Sequence, residues 1–243
     1  MLAIKSALKN RFPKLWVKYV GYRRGYVEPE LSLLPKVVPK TLVSVDIGAN
    51  IGEYTLPLSK LSPAVHAFEP AAEMANILRK IVPANVTVHE LALSDKSGVR
   101  TLSIPTVDGH HTYGLSSLEP RDGDGFLRKS VQTACLDDVA LPRIGFIKID
   151  VEGHELNVLG GATRTLSIDR PTFLIECEER HNPGGVSTLC QFFKDAGYEG
   201  RFLYMDRMQA MNEFDVRKHQ GNEALASGAY VYNFFFFPDH API

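Results

Sequence analysis

The chain has 243 residues, 44% hydrophobic and 23% charged, a balance that suits a soluble globular domain with a substantial buried core. A formal net charge of −1 gives no basis for nucleic-acid binding, which needs a concentrated basic surface. Cys135, Cys177 and Cys190 are odd in number and lack CxxC spacing, so neither a disulfide framework nor a zinc site is expected, and a reducing cytoplasm fits them best.

The N-terminus carries the charge asymmetry. Residues 1–40 hold nine Lys or Arg against Glu28 and Glu30, a local +7, which leaves 18 basic and 26 acidic groups, or −8, for the rest. Lys5, Lys9, Arg11 and Pro13 interrupt every apolar run there, so neither a signal-peptide core nor the ~20 residues of a bilayer span is present. Leu2, Ile4, Leu8, Phe12, Leu15, Trp16 and Val17 roughly follow helical spacing, predicting a basic helix that packs across the main domain. Contact with a membrane surface or an acidic partner is the alternative. Glu30 to Lys40, with Pro35 and Pro39, reads as a connector into a domain over 41–243.

Beyond it, short apolar runs alternate with helical segments: Leu42–Val45, Ala64–Phe68, Val86–His89, Gly145–Ile149 and Thr172–Ile175. This alternation predicts a doubly wound α/β fold, with a mostly parallel sheet covered by helices on both faces. Between the third and fourth strands lies an insertion, with strands near Val99–Ile104 and Ser130–Ala134. They flank a Gly-, Asp- and Ser-rich loop over 105–125 that contains His110 and His111, a candidate acceptor loop. Two further strands, Tyr198–Tyr204 and Ala229–Phe237, are expected near the end, the latter closing on four phenylalanines that suit a strand buried on both faces.

The segment Val45-Asp46-Ile47-Gly48-Ala49-Asn50-Ile51-Gly52-Glu53-Tyr54-Thr55 follows the first strand and opens a helical stretch. Gly48 permits a sharp turn and Gly52 a close backbone approach to a ligand. About twenty residues beyond Gly48, Glu69 ends the second strand where Rossmann-type sites bond ribose hydroxyls. A dinucleotide would call for GxGxxG and an uncharged turn for its pyrophosphate. Asp46 instead suits a cationic ligand such as S-adenosylmethionine (SAM), so an NAD-dependent oxidoreductase is the weaker alternative.

A second segment, Phe146-Ile147-Lys148-Ile149-Asp150-Val151-Glu152-Gly153-His154-Glu155, sets buried strand residues before anionic ones. Unpaired carboxylates are costly to bury, so Asp150, Glu152 and Glu155 belong at the strand's carboxyl end. In a 3-2-1-4-5 sheet the first and fourth strands adjoin at the switch point, which brings Asp46 and Asp150 to one crevice.

With VDIGANIGEYT (Val45–Thr55), AFEP (Ala67–Pro70), ALSD (Ala92–Asp95), TACLDD (Thr133–Asp138), KIDVEGHE (Lys148–Glu155) and FLIE (Phe173–Glu176), the chain resembles the FkbM family of SAM-dependent methyltransferases over about residues 41 to 180. The resemblance implies a Rossmann-like class I fold, with a sheet expected to have seven strands. It places Asp46, Gly48, Ala49, Asn50, Gly52, Tyr54 and Thr55 around the methionine part of SAM, Glu69 on the ribose and Ala92 near the adenine, with Asp150 also facing the cofactor. The implied reaction is O-methylation of a sugar, glycan or secondary-metabolite hydroxyl. Asp150 and Glu152 are the leading candidates for orienting or deprotonating the acceptor, with Glu176 third; His110, His111 and His154 are candidate acceptor contacts. A hard divalent cation could also sit among Asp46, Asp150, Glu152 and Glu176, but no short ligand motif supports one and none is assigned. A non-catalytic SAM-binding protein is the remaining alternative.

Overall fold

The runs after residue 40 fold as twelve strands, which a computed structural model describes within residues 28–180 and 182–239. In chain order they are β1 (Val43–Ile47), β2 (Val65–Phe68), β3 (Val86–His89), β4 (Ala92–Leu93), β5 (Gly98–Val107), β6 (His110–His111), β7 (Phe126–Ala134) and β8 (Ile144–Ile149). They continue as β9 (Thr172–Glu176), β10 (Tyr198–Tyr204), β11 (Arg207–Ala210) and β12 (Asn233–Pro238). The basic helix expected over residues 2–20 lies outside the described residues.

The main sheet runs β11-β10-β12-β9-β8-β1-β2-β3. The β1, β2, β3, β8 and β9 pairings are parallel, whereas β12 is antiparallel to both β9 and β10. With β1 between β8 and β2, the switch point lies at the carboxyl ends of β1 and β8, where a ligand crevice opens in such sheets. The sheet has eight strands rather than the expected seven because β10 folds back as a hairpin with β11. Its two turn residues, Met205 and Asp206, both have positive φ, 48° and 61°, as a type I′ turn requires. The usual Asn-Gly or Asp-Gly signal is missing there.

The four phenylalanines alternate as expected of a strand buried on both faces. Phe234 and Phe236 join Phe173, Phe193 and Phe202 on one side; Phe235 and Phe237 join Leu34, Leu58 and Phe146 on the other. The strand is shorter than predicted, however: Ala229–Tyr232 is irregular and only Asn233 begins the ladder. The segment read as a connector also has more structure than expected. It forms the helical turns Pro29–Ser32 and Leu34–Val37, and Leu34 is fully buried in the second core.

The insertion is a separate sheet, β4-β7-β5-β6, in which Gly98–Pro105 pairs antiparallel with Phe126–Thr133. The loop between them is partly ordered, with β6, a helical turn at Tyr113–Leu115 and a bridge from Ser103 to Ser117. No described helix is long and apolar enough to cross a membrane.

Candidate active site

Two adjoining cavities open at the switch point and share Gly48, Asn50, Gly114, Asp150 and Glu152. The smaller is a cleft between Phe68, Glu69, Leu91 and Ala92 of the Rossmann half and Tyr113, Ser117 and Leu118 of the insertion. The larger, about 400 Å³, is bounded by Asp46, Tyr54, Lys148, Asp150, Glu152 and Glu176, with Arg180, Leu225, Tyr230 and Tyr232 toward its outer part.

The first glycine turn is built by close packing as much as by ligand access. Gly48 has φ +83°, and a Cβ there would stand 1.8 Å from the Asp150 carbonyl oxygen. The β1 and β8 loops therefore touch at this glycine, which is how Asp46 and Asp150 come to share one crevice. Gly52, expected to admit a ligand, instead admits the helix Ala72–Ile81: a Cβ at Gly52 would lie 2.6 Å from Leu78 Cδ1. Asn50 and Glu152, one on each loop, have positive φ of 46° and 54°; asparagine adopts this state readily, whereas a glutamate holds it only when its surroundings impose it.

Asp46 is almost fully buried and accepts a hydrogen bond from Thr55 Oγ1 at 2.5 Å. Thr55 thus supports Asp46 and lines neither cavity. Burial, only partly countered by that hydroxyl, pushes the Asp46 carboxyl up to about 6. Glu69 accepts from the Asn50 and Ala71 amides, both at 2.8 Å, and desolvation lifts it to about 7. Its carboxyl is fixed at the cleft with further acceptor capacity. Glu152 is pushed up to about 8 by burial, reinforced by repulsion from Asp150 and Glu178. Glu176 moves in the same direction, through burial and then repulsion from Asp150. One carboxylate oxygen from each of Asp150, Glu152 and Glu176 lies within 4.8 Å of the others, an oxygen set of the kind a hard cation also uses.

Lys148 is the residue that the sequence reading passed over. Its ammonium is fully buried at the cavity wall and donates to Asn233 Oδ1 at 3.1 Å and to the Ile149 carbonyl at 3.2 Å. It also lies 5.0 Å from the centroid of the Tyr54 ring. Asn233 Nδ2 donates to Glu28 at 2.9 Å, and the Tyr54 hydroxyl donates to the same Glu28 oxygen. Desolvation disfavours the charge of Lys148, but Asp150, Glu176, Glu28 and Asp46 outweigh it and hold the group protonated. A lysine flanked by isoleucines in a strand buried on both faces was the available signal, since such a charge must find partners.

The histidines divide. His154 lines the cleft, but both ring nitrogens have partners: Glu119 Oε1 at 2.6 Å and Ser94 Oγ at 2.9 Å. With Ser117 Oγ donating to the Glu152 carbonyl at 2.8 Å, His154 ties the insertion to the β8 loop. His110 and His111 form β6, are exposed and line neither cavity, because the short β5–β6 hairpin carries them away from the switch point. Ala92 and Leu91 line the cleft as expected.

The raised carboxyls make the ligand-free protein pH-sensitive in a calculable direction. Glu30, Glu69 and Glu155 keep their protons to about 7, and Glu152 to about 8, whereas in the unfolded chain they ionise near 4.5. The native state then binds more protons, so stability falls as pH rises through the native values. His66, His89 and His219, lowered by burial, act oppositely only below about 6.5. Melting temperature is therefore expected to decline between pH 7 and pH 8.5; a rise over that interval would overturn this charge assignment.

Residues 46–199 match the methyltransferase FkbM domain family. The chain is similar to the 31-O-demethyl-FK506 methyltransferase FkbM of Streptomyces tacrolimicus, with 34% identity over 154 residues, covering 49% of this chain and 58% of that protein. It is similar to the hexuronic acid methyltransferase AglP of Haloferax volcanii, with 27% identity over 124 residues, 50% of each chain. The chain thus spans between half and three-fifths of these relatives' lengths. Among solved structures, the methyltransferase FkbM of Methylobacillus flagellatus KT superposes with a TM-score of 0.54 at 19% identity, covering 87% of this chain and 48% of that one, a likeness of fold.

Proposed function

The chain belongs to the FkbM methyltransferase family, and from that premise we propose that it transfers the methyl group of SAM to a hydroxyl oxygen of a sugar, glycan or secondary-metabolite acceptor. The observation that carries this reading is the pair of adjoining cavities at the switch point, one a cleft beside a fixed carboxyl and the other an acid-lined chamber.

The residues present fit SAM. Asp46 and Asp150 offer carboxylates to a ligand whose amino and sulfonium groups are cationic, Glu69 offers acceptor oxygens to ribose hydroxyls, and Phe68, Leu91 and Leu118 offer apolar walls to a flat base. Bound there, SAM supplies an electrophilic methyl carbon, which bonds to the acceptor oxygen as its bond to sulfur breaks. The protein's share is to hold the hydroxyl in line and receive its proton. Glu152 borders both cavities and takes that proton; Asp150 and Glu176 accept hydrogen bonds from the acceptor and orient it. Lys148 and the Tyr54–Glu28 pair fix the wall against which the acceptor sits.

Calorimetric titration with SAM, S-adenosylhomocysteine (SAH) and NAD tests the donor. Selective SAM and SAH binding is expected, weakened roughly tenfold by Glu69→Gln and roughly tenfold to a hundredfold by Asp46→Asn, as fits the loss of a charge-assisted hydrogen bond. Preference for NAD, or no nucleoside binding by the parent protein, would sink the reading.

A further inference from the structure

Few large apolar side chains stand exposed among the described residues, and two of them line the same cavity. Leu115, 40% exposed, comes from the helical turn of the insertion, and Leu225, 56% exposed, from the helix Asn222–Ser227. They are 110 positions apart in sequence, Leu115 between β6 and β7 and Leu225 between β11 and β12. Tyr230 and Tyr232 add ring surface to the same chamber, with ring centroids 6.4 Å apart. Exposed leucines that converge on a cavity mark a surface covered by ligand, whereas scattered ones need no such account.

The charge of the chamber points the same way from an independent direction. Seven carboxyl side chains line it against two basic ones, Lys148 and Arg180. Both bases already have partners, Lys148 within the wall and Arg180 at the rim, where its side chain is 55% exposed. Lys148 is buried and bonded to Asn233 and the Ile149 carbonyl, and Arg180 is held by Glu178 through contacts of 2.7 Å to each carboxylate oxygen, with its guanidinium 5.9 Å from the Tyr230 ring centroid. Repulsion among the carboxyls is already part of what raises Glu152 and Glu176. Another negative charge beside them would add to that repulsion in a partly desolvated space.

Building on the assignment of this chamber to the acceptor, we propose that the acceptor is an uncharged amphipathic alcohol: a hydroxyl-bearing polar end that enters among the carboxyls, carried on an apolar body that covers Leu115 and Leu225. Acceptors with a carboxylate next to the reacting hydroxyl are rejected. This sets the chain apart from its relative AglP, whose name gives a hexuronic acid as its substrate.

Three probes separate the terms: octyl glucoside, methyl glucoside and octyl glucuronide, each titrated into the SAH-loaded protein by calorimetry below the micellar range. Octyl glucoside is expected to bind at least about tenfold more tightly than methyl glucoside, from burial of its chain. It is expected to exceed octyl glucuronide by a similar factor. Leu225→Ser, an exposed position, is expected to remove most of the advantage of the octyl chain, with SAH affinity as the check on folding. Equal affinity for the two glucosides, equal or tighter binding of the glucuronide, an undiminished octyl advantage in Leu225→Ser, or no binding of octyl glucoside to a protein that binds SAH would each overturn the proposal. Failure to bind SAH at all would instead overturn the methyl-donor reading beneath it.

Discussion

Replacing Glu152 by glutamine is expected to lower kcat by about 10²- to 10⁴-fold while leaving SAH affinity nearly unchanged, the range that loss of a positioned proton acceptor produces. The amide matches the carboxylate in shape, so the substitution removes basicity with little change in packing. Its backbone demand is the same, since glutamate already occupies the positive-φ position at +54°. The pH dependence gives a second readout. A base acts when deprotonated, and burial with repulsion from Asp150 and Glu178 pushes the Glu152 carboxyl to about 8 in the ligand-free protein. A cationic donor nearby favours the ionised form, so in the ternary complex the acid limb of kcat is expected below pH 8, with turnover rising as pH increases through it. Glu152→Gln should lose that limb. A variant whose kcat stays within threefold of the parent at every pH would remove Glu152 from proton transfer and leave Asp150 and Glu176 as the remaining carboxyls of the cluster.

Gly48→Ala is expected to destabilise the folded protein by roughly 4 kcal/mol, combining about 1–3 kcal/mol for a non-glycine residue at unfavourable φ with about 1–3 kcal/mol for steric overlap. At this chain length that corresponds to a fall in Tm of roughly 10 °C. The overlap is with backbone, the Asp150 carbonyl oxygen at 1.8 Å from the added Cβ, so rotation of a side chain cannot relieve it. Separating the β1 and β8 loops would relieve it, but that displaces Asp46 from Asp150 and disrupts the proposed donor site as well. Gly109→Ala is the internal control. Its φ is +73° but nothing lies within 4 Å of the added Cβ, so it should show the conformational cost alone. Thermal unfolding of the two variants separates strain from collision; equal losses would show that the loop contact contributes nothing.

Much of the proposed donor half was legible in the sequence because its signals are local. A strand, a glycine turn and an acid about twenty residues later describe one βαβ unit, and β1, β2 and Glu69 occupy the places that this order implies. The Phe234–Phe237 run announced a strand with two buried faces for the same reason: alternation of side chains is a property of four successive residues. Even there, the role expected of Gly52 differed from the one found. A glycine pattern says that a side chain is excluded, and only the fold says whether a ligand or Leu78 excludes it.

The chamber proposed for the acceptor depends on contacts between distant segments, which no local pattern encodes. Glu28, Tyr54, Lys148 and Asn233 are joined by hydrogen bonds and a cation–ring contact across 205 positions, yet each looks ordinary in its own stretch. His110 and His111 show the converse: a suggestive pair in a polar loop that a short hairpin carries away from both cavities. His154 sat beside the motif acids, but tertiary packing gave it Glu119 and Ser94 as partners and made it a tie for the insertion. The sequence by itself determined the fold class, the family and the order of the elements around the glycine turn, because periodicity and turn chemistry act over a few residues. Tertiary structure alone decided which carboxyls share a chamber, which cation they surround and which leucines border it, because burial and charge coupling depend on distance in space.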